Sequence, residues 1–105
     1  MATRSRKSLE FDDRTANDVA ELFRALSDTS RIKLMAKLID GETNVGSLAE
    51  AAGISESAVS HHMRSLRQLR MVRARKAGRQ VFYALDDQHI IDLFLRGVAH
   101  IQSGD

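Results

Sequence analysis

Cysteine is absent from the 105 residues. That excludes disulfides, thiolate-ligated metals and thiol nucleophiles. No stretch approaches the ~20 consecutive apolar residues that a membrane span requires, and the opening MATRSRKSLEF lacks the apolar segment of a secretory signal. Glycine-rich phosphate loops, nucleophile motifs and metalloprotease histidine spacings are also missing, so an enzyme is not expected. There is no internal repeat and no low-complexity linker. What remains, 43% apolar and 29% charged residues, is the balance of an ordinary folding chain. One cytoplasmic domain is the expectation, small enough that a partner subunit would add to its stability.

Net charge is nearly absent too, at +2, but it is unevenly distributed. Residues 1–7 carry Arg4, Arg6 and Lys7, and residues 8–55 hold nine acids against five bases. Residues 56–80 hold seven bases (Arg64, Arg67, Arg70, Arg73, Arg75, Lys76, Arg79) and only Glu56 as an acid. Residues 81–105 return to acidic, with four carboxylates and Arg96. A block of +6 inside an acidic chain points to a polyanion-binding surface.

Hydrophobic periodicity organises the rest. Residues 1–12 have none and are expected to form a flexible basic arm ahead of a domain over 13–105. Val19, Leu22, Phe23 and Leu26 follow helical spacing. Asp28 is a candidate N-cap for a second helix that buries Ile32, Leu34, Met35 and Leu38 and ends at Gly41. Asn44 caps a short helix stopping at Gly53, and Ser55 caps the next after a tight turn. Two helices joined by so short a turn containing glycine form a helix-turn-helix. Beyond Arg70 the period changes. Met71–Arg75 and Gln80–Leu85 read as strands reversing at Ala77-Gly78, and Asp86 or Asp87 then caps a last helix to about Gln102.

The helix from Glu56 to Leu69 sorts its side chains. At 100° per residue Val59, Met63 and Leu66 share a buried stripe, with His62 beside it as a structural group. Ser57, Ser60, His61, Arg64 and Gln68 occupy the other side, where donors and acceptors of this length reach base edges and phosphates. Arg75, Lys76 and Arg79 surround the hairpin tip, ready for a phosphate backbone. The fold class expected is mainly α with a two-stranded β-hairpin, a winged helix-turn-helix whose second helix enters the major groove.

The stretches ALSDTSRIKLMAKL, ISESAVSHHMRSLRQLRMV and RKAGRQVFYALDDQHI closely resemble the ArsR/SmtB family of metal-sensing repressors, over about Asp18 to Gln102. The resemblance implies a homodimer that binds double-stranded operator DNA, an inverted repeat, and leaves it when metal binds. It assigns Ser57, Ser60 and His61 to the groove and Arg79 to the wing's contact. It also implies a metal site on the last helix: Asp87, His89 and His100 match the family pattern, while Ser103 departs from it at the fourth place. Asp105 or water is the alternative fourth ligand.

Spacing bears on this site independently. His89 and His100, eleven residues apart, point within about 20° of each other but lie roughly 16 Å apart along a helix. One ion cannot join them within one chain, whereas two antiparallel copies about a two-fold axis can pair His89 of each with His100 of the other. Imidazole and carboxylate ligands suit Zn(II), with Co(II) or Ni(II) as alternatives. The last helix also carries more apolar circumference than a one-sided core needs, as a dimer interface would. A regulator of the same family without metal sensing remains the alternative, because of Ser103.

Overall fold

The computed structural model describes residues 9–104. Arg4, Arg6 and Lys7 of the basic arm, and Asp105, lie outside them. The elements run α1 (Asp13–Ala25), α2 (Thr29–Ile39), β1 (Thr43–Asn44), α3 (Val45–Ala52), α4 (Glu56–Gln68), β2 (Val72–Ala77), β3 (Gln80–Leu85) and α5 (Gln88–Ser103).

Local chemistry sets most boundaries. Asp12, Asp28, Asn44, Ser55 and Asp87 are the N-caps, each with its side chain accepting from a backbone N–H of the first turn. The Asp12 cap starts α1 at Asp13, six residues before Val19, the first of the periodic apolar positions. Gly53 closes α3 at φ +69, the left-handed conformation that glycine adopts without strain. Arg70 does the equivalent after α4 at φ +60 without that freedom. Its N–H bonds to the Arg67 carbonyl at 2.9 Å, and Met71 N–H reaches back to Leu66 at 3.0 Å.

The hairpin differs from the expected one in two ways. Strand β2 continues to Ala77, which pairs with Gln80, so the turn is Gly78-Arg79 and Arg79 stands at the tip. Glycine first, here at φ +62, is the arrangement favoured in type II′ turns. A third strand, β1, pairs antiparallel with β3 through Thr43↔Tyr83 and Asn44↔Phe82, making the sheet order β1-β3-β2. Two residues between two capped helices leave too short a pattern for periodicity to register.

The core lies among α2, α3, α4 and the base of the hairpin. Leu34, Met35, Leu48, Val59, Met63, Leu66 and Met71 are fully buried there, and no polar side chain is buried among the described residues. Helices α1 and α5 sit outside this nucleus. Only Ala25 of α1, with Ile90 and Phe94 of α5, is buried. Phe23, Leu93, Leu95 and Ile101 stay exposed. Between the two helices runs an apolar groove of about 570 Å³, lined by Phe23, Leu26, Ile32, Leu93, Phe94, Gly97, Val98 and Ile101.

Candidate nucleic-acid interface and metal ligands

Burial of Val59, Met63 and Leu66 against the core fixes the rotation of α4. The opposite face is thereby turned outward: Ser57, His61, Arg64 and Gln68 are exposed, and Ser60 is half-buried. Ser60 lines a groove of about 470 Å³ with Glu56, Gly46, Asn44, Gln80 and Arg79. The tip of the wing and the start of α4 therefore border one surface. Asn44 ties that surface together, because its carbonyl oxygen caps α3 at Ser47 N while its amide donates to Gln80 on β3 at 3.1 Å.

His62 is structural, as its position beside the apolar stripe suggests. Its Nδ1 accepts from Arg31 Nε at 3.0 Å, and the same guanidinium donates to the Ala25 carbonyl at 3.4 Å. One side chain of α2 thus joins the end of α1 to the middle of α4. Burial holds the His62 imidazole below its usual pKa, with Arg31 adding to the effect and Asp28 opposing it. The ring is consequently kept in the neutral form that can accept a hydrogen bond.

The basic block is less free than its count implies. Arg73 bonds to the Leu85 carbonyl at 3.0 Å and to Asp86 at 3.3 Å. Arg75 meets Glu42 through two bonds, Nη2 to Oε1 at 2.7 Å and Nε to Oε2 at 3.0 Å, and its guanidinium stacks 4.8 Å from the Phe82 ring centroid. Each of the pair favours the other's charged form: the Arg75 side chain bonding Glu42 lowers the carboxyl pKa, and Glu42 raises that of the guanidinium. Lys76 and Arg79 are exposed at the hairpin tip, as is Arg64 on α4. Local spacing could not reveal the Glu42 contact, since the partners are 33 residues apart in the chain.

The proposed metal ligands divide between the two ends of α5. Asp87 caps the helix with Oδ1 accepting from His89 N at 2.7 Å, and His89 Nδ1 lies 3.1 Å from the same oxygen. The backbone bond from His89, above all, keeps the Asp87 carboxyl ionised to lower pH than usual. His89 is almost wholly solvent-exposed. His100 is exposed in the last turn, where the Ser103 hydroxyl donates to its carbonyl at 2.9 Å. Among the described residues no three His, Cys, Asp or Glu side chains of one chain converge as a metal site. The donor chemistry of Asp87, His89 and His100 suits a borderline divalent ion.

The family model described as bacterial regulatory protein, arsR family, matches residues 28–74, from the cap of α2 into β2. A transcriptional repressor SmtB homolog of Synechocystis is 46% identical over 90 residues, covering 86% of this chain and 68% of that protein. The HTH-type transcriptional regulator NmtR of Mycobacterium tuberculosis is 39% identical over 97 residues, covering 92% and 81%. Among solved structures, apo-NmtR superimposes with a TM-score of 0.74 at 37% identity, covering 98% of this chain and 87% of that one. A homodimeric winged helix-turn-helix DNA-binding domain from Mycobacterium bovis gives 0.74 at 25% identity, covering 89% and 93%.

The fold and the exposed α4 face therefore define a winged helix-turn-helix transcriptional regulator, and its relatives are regulators rather than enzymes. The chain belongs to the ArsR/SmtB family of metal-sensing regulators. No helix among the described residues is long and apolar enough to cross a membrane.

Proposed function

We propose that the chain is a homodimeric cytoplasmic repressor that binds an inverted-repeat operator and is released when Zn(II), or a similar divalent ion, binds between the two α5 helices. Ser57, Ser60, His61 and Arg64 of α4 would contact base edges and phosphates, with Lys76 and Arg79 of the wing on the backbone. A two-fold dimer presents two such helices one DNA turn apart, which is why a palindromic site is the matching target.

The observation that carries the metal part is the layout of α5. Asp87 and His89 lie at its start and His100 near its end, on a helix with an open apolar face. Antiparallel pairing of that face brings Asp87 and His89 of one protomer to the partner subunit's His100. A bound divalent ion supplies coordinate bonds between the two helices and neutralises the carboxylates. The chain's own part is mechanical. Ile90 and Phe94 seat α5 on the core of the reading module, so a change in the α5 pairing is passed to the separation of the two α4 helices. Coupling of this kind amounts typically to ~1–3 kcal/mol and is reciprocal, so DNA should weaken metal binding by the same factor.

A Co(II) titration of the dimer followed by visible absorption tests this reading. Intense tetrahedral bands saturating at one ion per protomer are expected, and they should vanish in His100→Ala while operator affinity stays near wild type. A weak octahedral spectrum would favour the second reading, a family regulator that does not sense metal. Ser103 supports that second reading, since its hydroxyl already serves the His100 carbonyl and is a poor zinc ligand.

A further inference from the structure

We infer that Arg75 is a positioning residue that holds the wing in place for DNA, rather than a contact to DNA. This rests on the DNA-binding reading above. The sheet itself is slight: β1 has two residues, and the hairpin is anchored in the core only at its base, through Val72, Ala84 and Leu85, so its tip leaves the core behind. Besides the Asn44–Gln80 bond, one side chain braces it by reaching from β2 across β3 to the residue before β1. Arg75 of β2 stands opposite Phe82 of β3, and Phe82 in turn stands opposite Asn44 of β1. The guanidinium lies over the Phe82 ring and reaches Glu42, the residue preceding β1, with two of its nitrogens.

A planar fork on a carboxylate fixes orientation as well as distance, and stacking on the ring restricts it further. The pair is more than a third exposed on both sides, so its contribution to overall stability is small. Its effect is on where the wing points. The guanidinium is also already matched by a carboxylate: Glu42 takes both of its bonding nitrogens, and Asp40 and Lys37 border the groove that Glu42 shares with Phe82. Arg79, at the turn, shares a groove with Ser60 and Glu56 of α4.

The test compares Arg75→Gln, Arg75→Lys, Glu42→Gln, the Arg75→Gln/Glu42→Gln double variant and Arg79→Gln on a mixed-sequence DNA duplex, across a series of salt concentrations. Removing a phosphate contact should reduce the salt slope by about one per contact, and Arg79→Gln should do so. The Arg75 and Glu42 variants should instead each weaken binding roughly threefold to tenfold at unchanged slope, with the double variant no worse than either single. Arg75→Lys should behave like Arg75→Gln, because charge without the fork does not brace the sheet. Glu42→Gln is decisive in sign, since it removes a negative charge and yet should weaken binding.

If Glu42→Gln tightens binding, or Arg75→Gln flattens the slope as Arg79→Gln does, Arg75 is a direct contact and the inference is overturned. If the wild type binds no duplex, the DNA reading itself has failed. The brace is then judged by the heteronuclear NOE of the Gly78 amide, which should fall in both Arg75→Gln and Glu42→Gln and would refute the inference by staying constant.

Discussion

The α2–α4 module with its hairpin and the α1–α5 layer use similar residues to opposite ends. In the first, leucine, methionine and valine are sealed within one chain, down to 0% exposure for Leu34, Met63 and Leu66. In the second, Phe23 is 52% exposed and Ile101 77%, on helices as regular as any in the molecule. Amphipathic pattern thus decides that a helix has an apolar face, not what covers it. The α2–α4 module covers its own faces, so it holds α4 rigidly with the polar face outward. The α1–α5 layer leaves its face open, and Gly97 lies in it with no side chain or other element, among the described residues, within 4 Å of where a Cβ would stand. A glycine inside a helix costs about 0.5–1 kcal/mol relative to alanine.

Met63→Ala should destabilise the chain by about 2–5 kcal/mol through the cavity left in the core. The loss should appear in denaturant melts even when the protein is concentrated enough to stay dimeric. Leu93→Glu, in the open groove, should act in the opposite sense: dimerisation weakens by about two orders of magnitude, or about 2.7 kcal/mol, while the circular dichroism of the chain is retained. Sedimentation equilibrium measures this. An unchanged dimer would mean that the α1–α5 face has some other occupant.

A pH titration sharpens the contrast. Because burial holds His62 below its ordinary value near ~6.5, the unfolded state takes up the proton first, and stability rises with pH through that window. Stability is in full effect above about 6.5 and declines as pH falls through the folded-state value. His62→Gln should flatten this decline while leaving the dimerisation constant unchanged. A slope equal to wild type would place the titrating group elsewhere.

Arg70 offers the smallest effect. A non-glycine residue at φ +60 carries strain of about 1 kcal/mol, partly offset by the entropy glycine loses on folding. Arg70→Gly should therefore raise the unfolding free energy in a denaturant melt slightly, by up to about 0.5 kcal/mol, without altering oligomeric state. A clear destabilisation would show that the arginine stem contributes packing worth more than the strain.

Much of the fold was legible because it is written in local chemistry. The caps at Asp28, Asn44 and Ser55 and the left-handed stop at Gly53 announce the helix-turn-helix residue by residue. The α4 stripe follows from a 3.6-residue period alone. The hairpin register was less legible: alternation weakens across Ala74–Ala77, and pairing Ala77 with Gln80 moved Arg79 to the tip. Strand β1 and the helix stop at Arg70 have no compositional mark. The candidate metal ligands were legible as residue types at a spacing, but convergence across two chains is not a property of one chain's pattern.

By itself, the sequence determined the helical faces, the caps and the concentration of positive charge in residues 56–80, since each depends on neighbours within a few turns. Tertiary structure decided which of those charges are available. Arg73 and Arg75 are neutralised by Asp86 and Glu42, acids from outside the block that the sheet brings within 3.3 and 2.7 Å. It also decided which apolar faces close and which stay open, because burial depends on the other elements a face can reach. Within this chain, α1 and α5 reach too few.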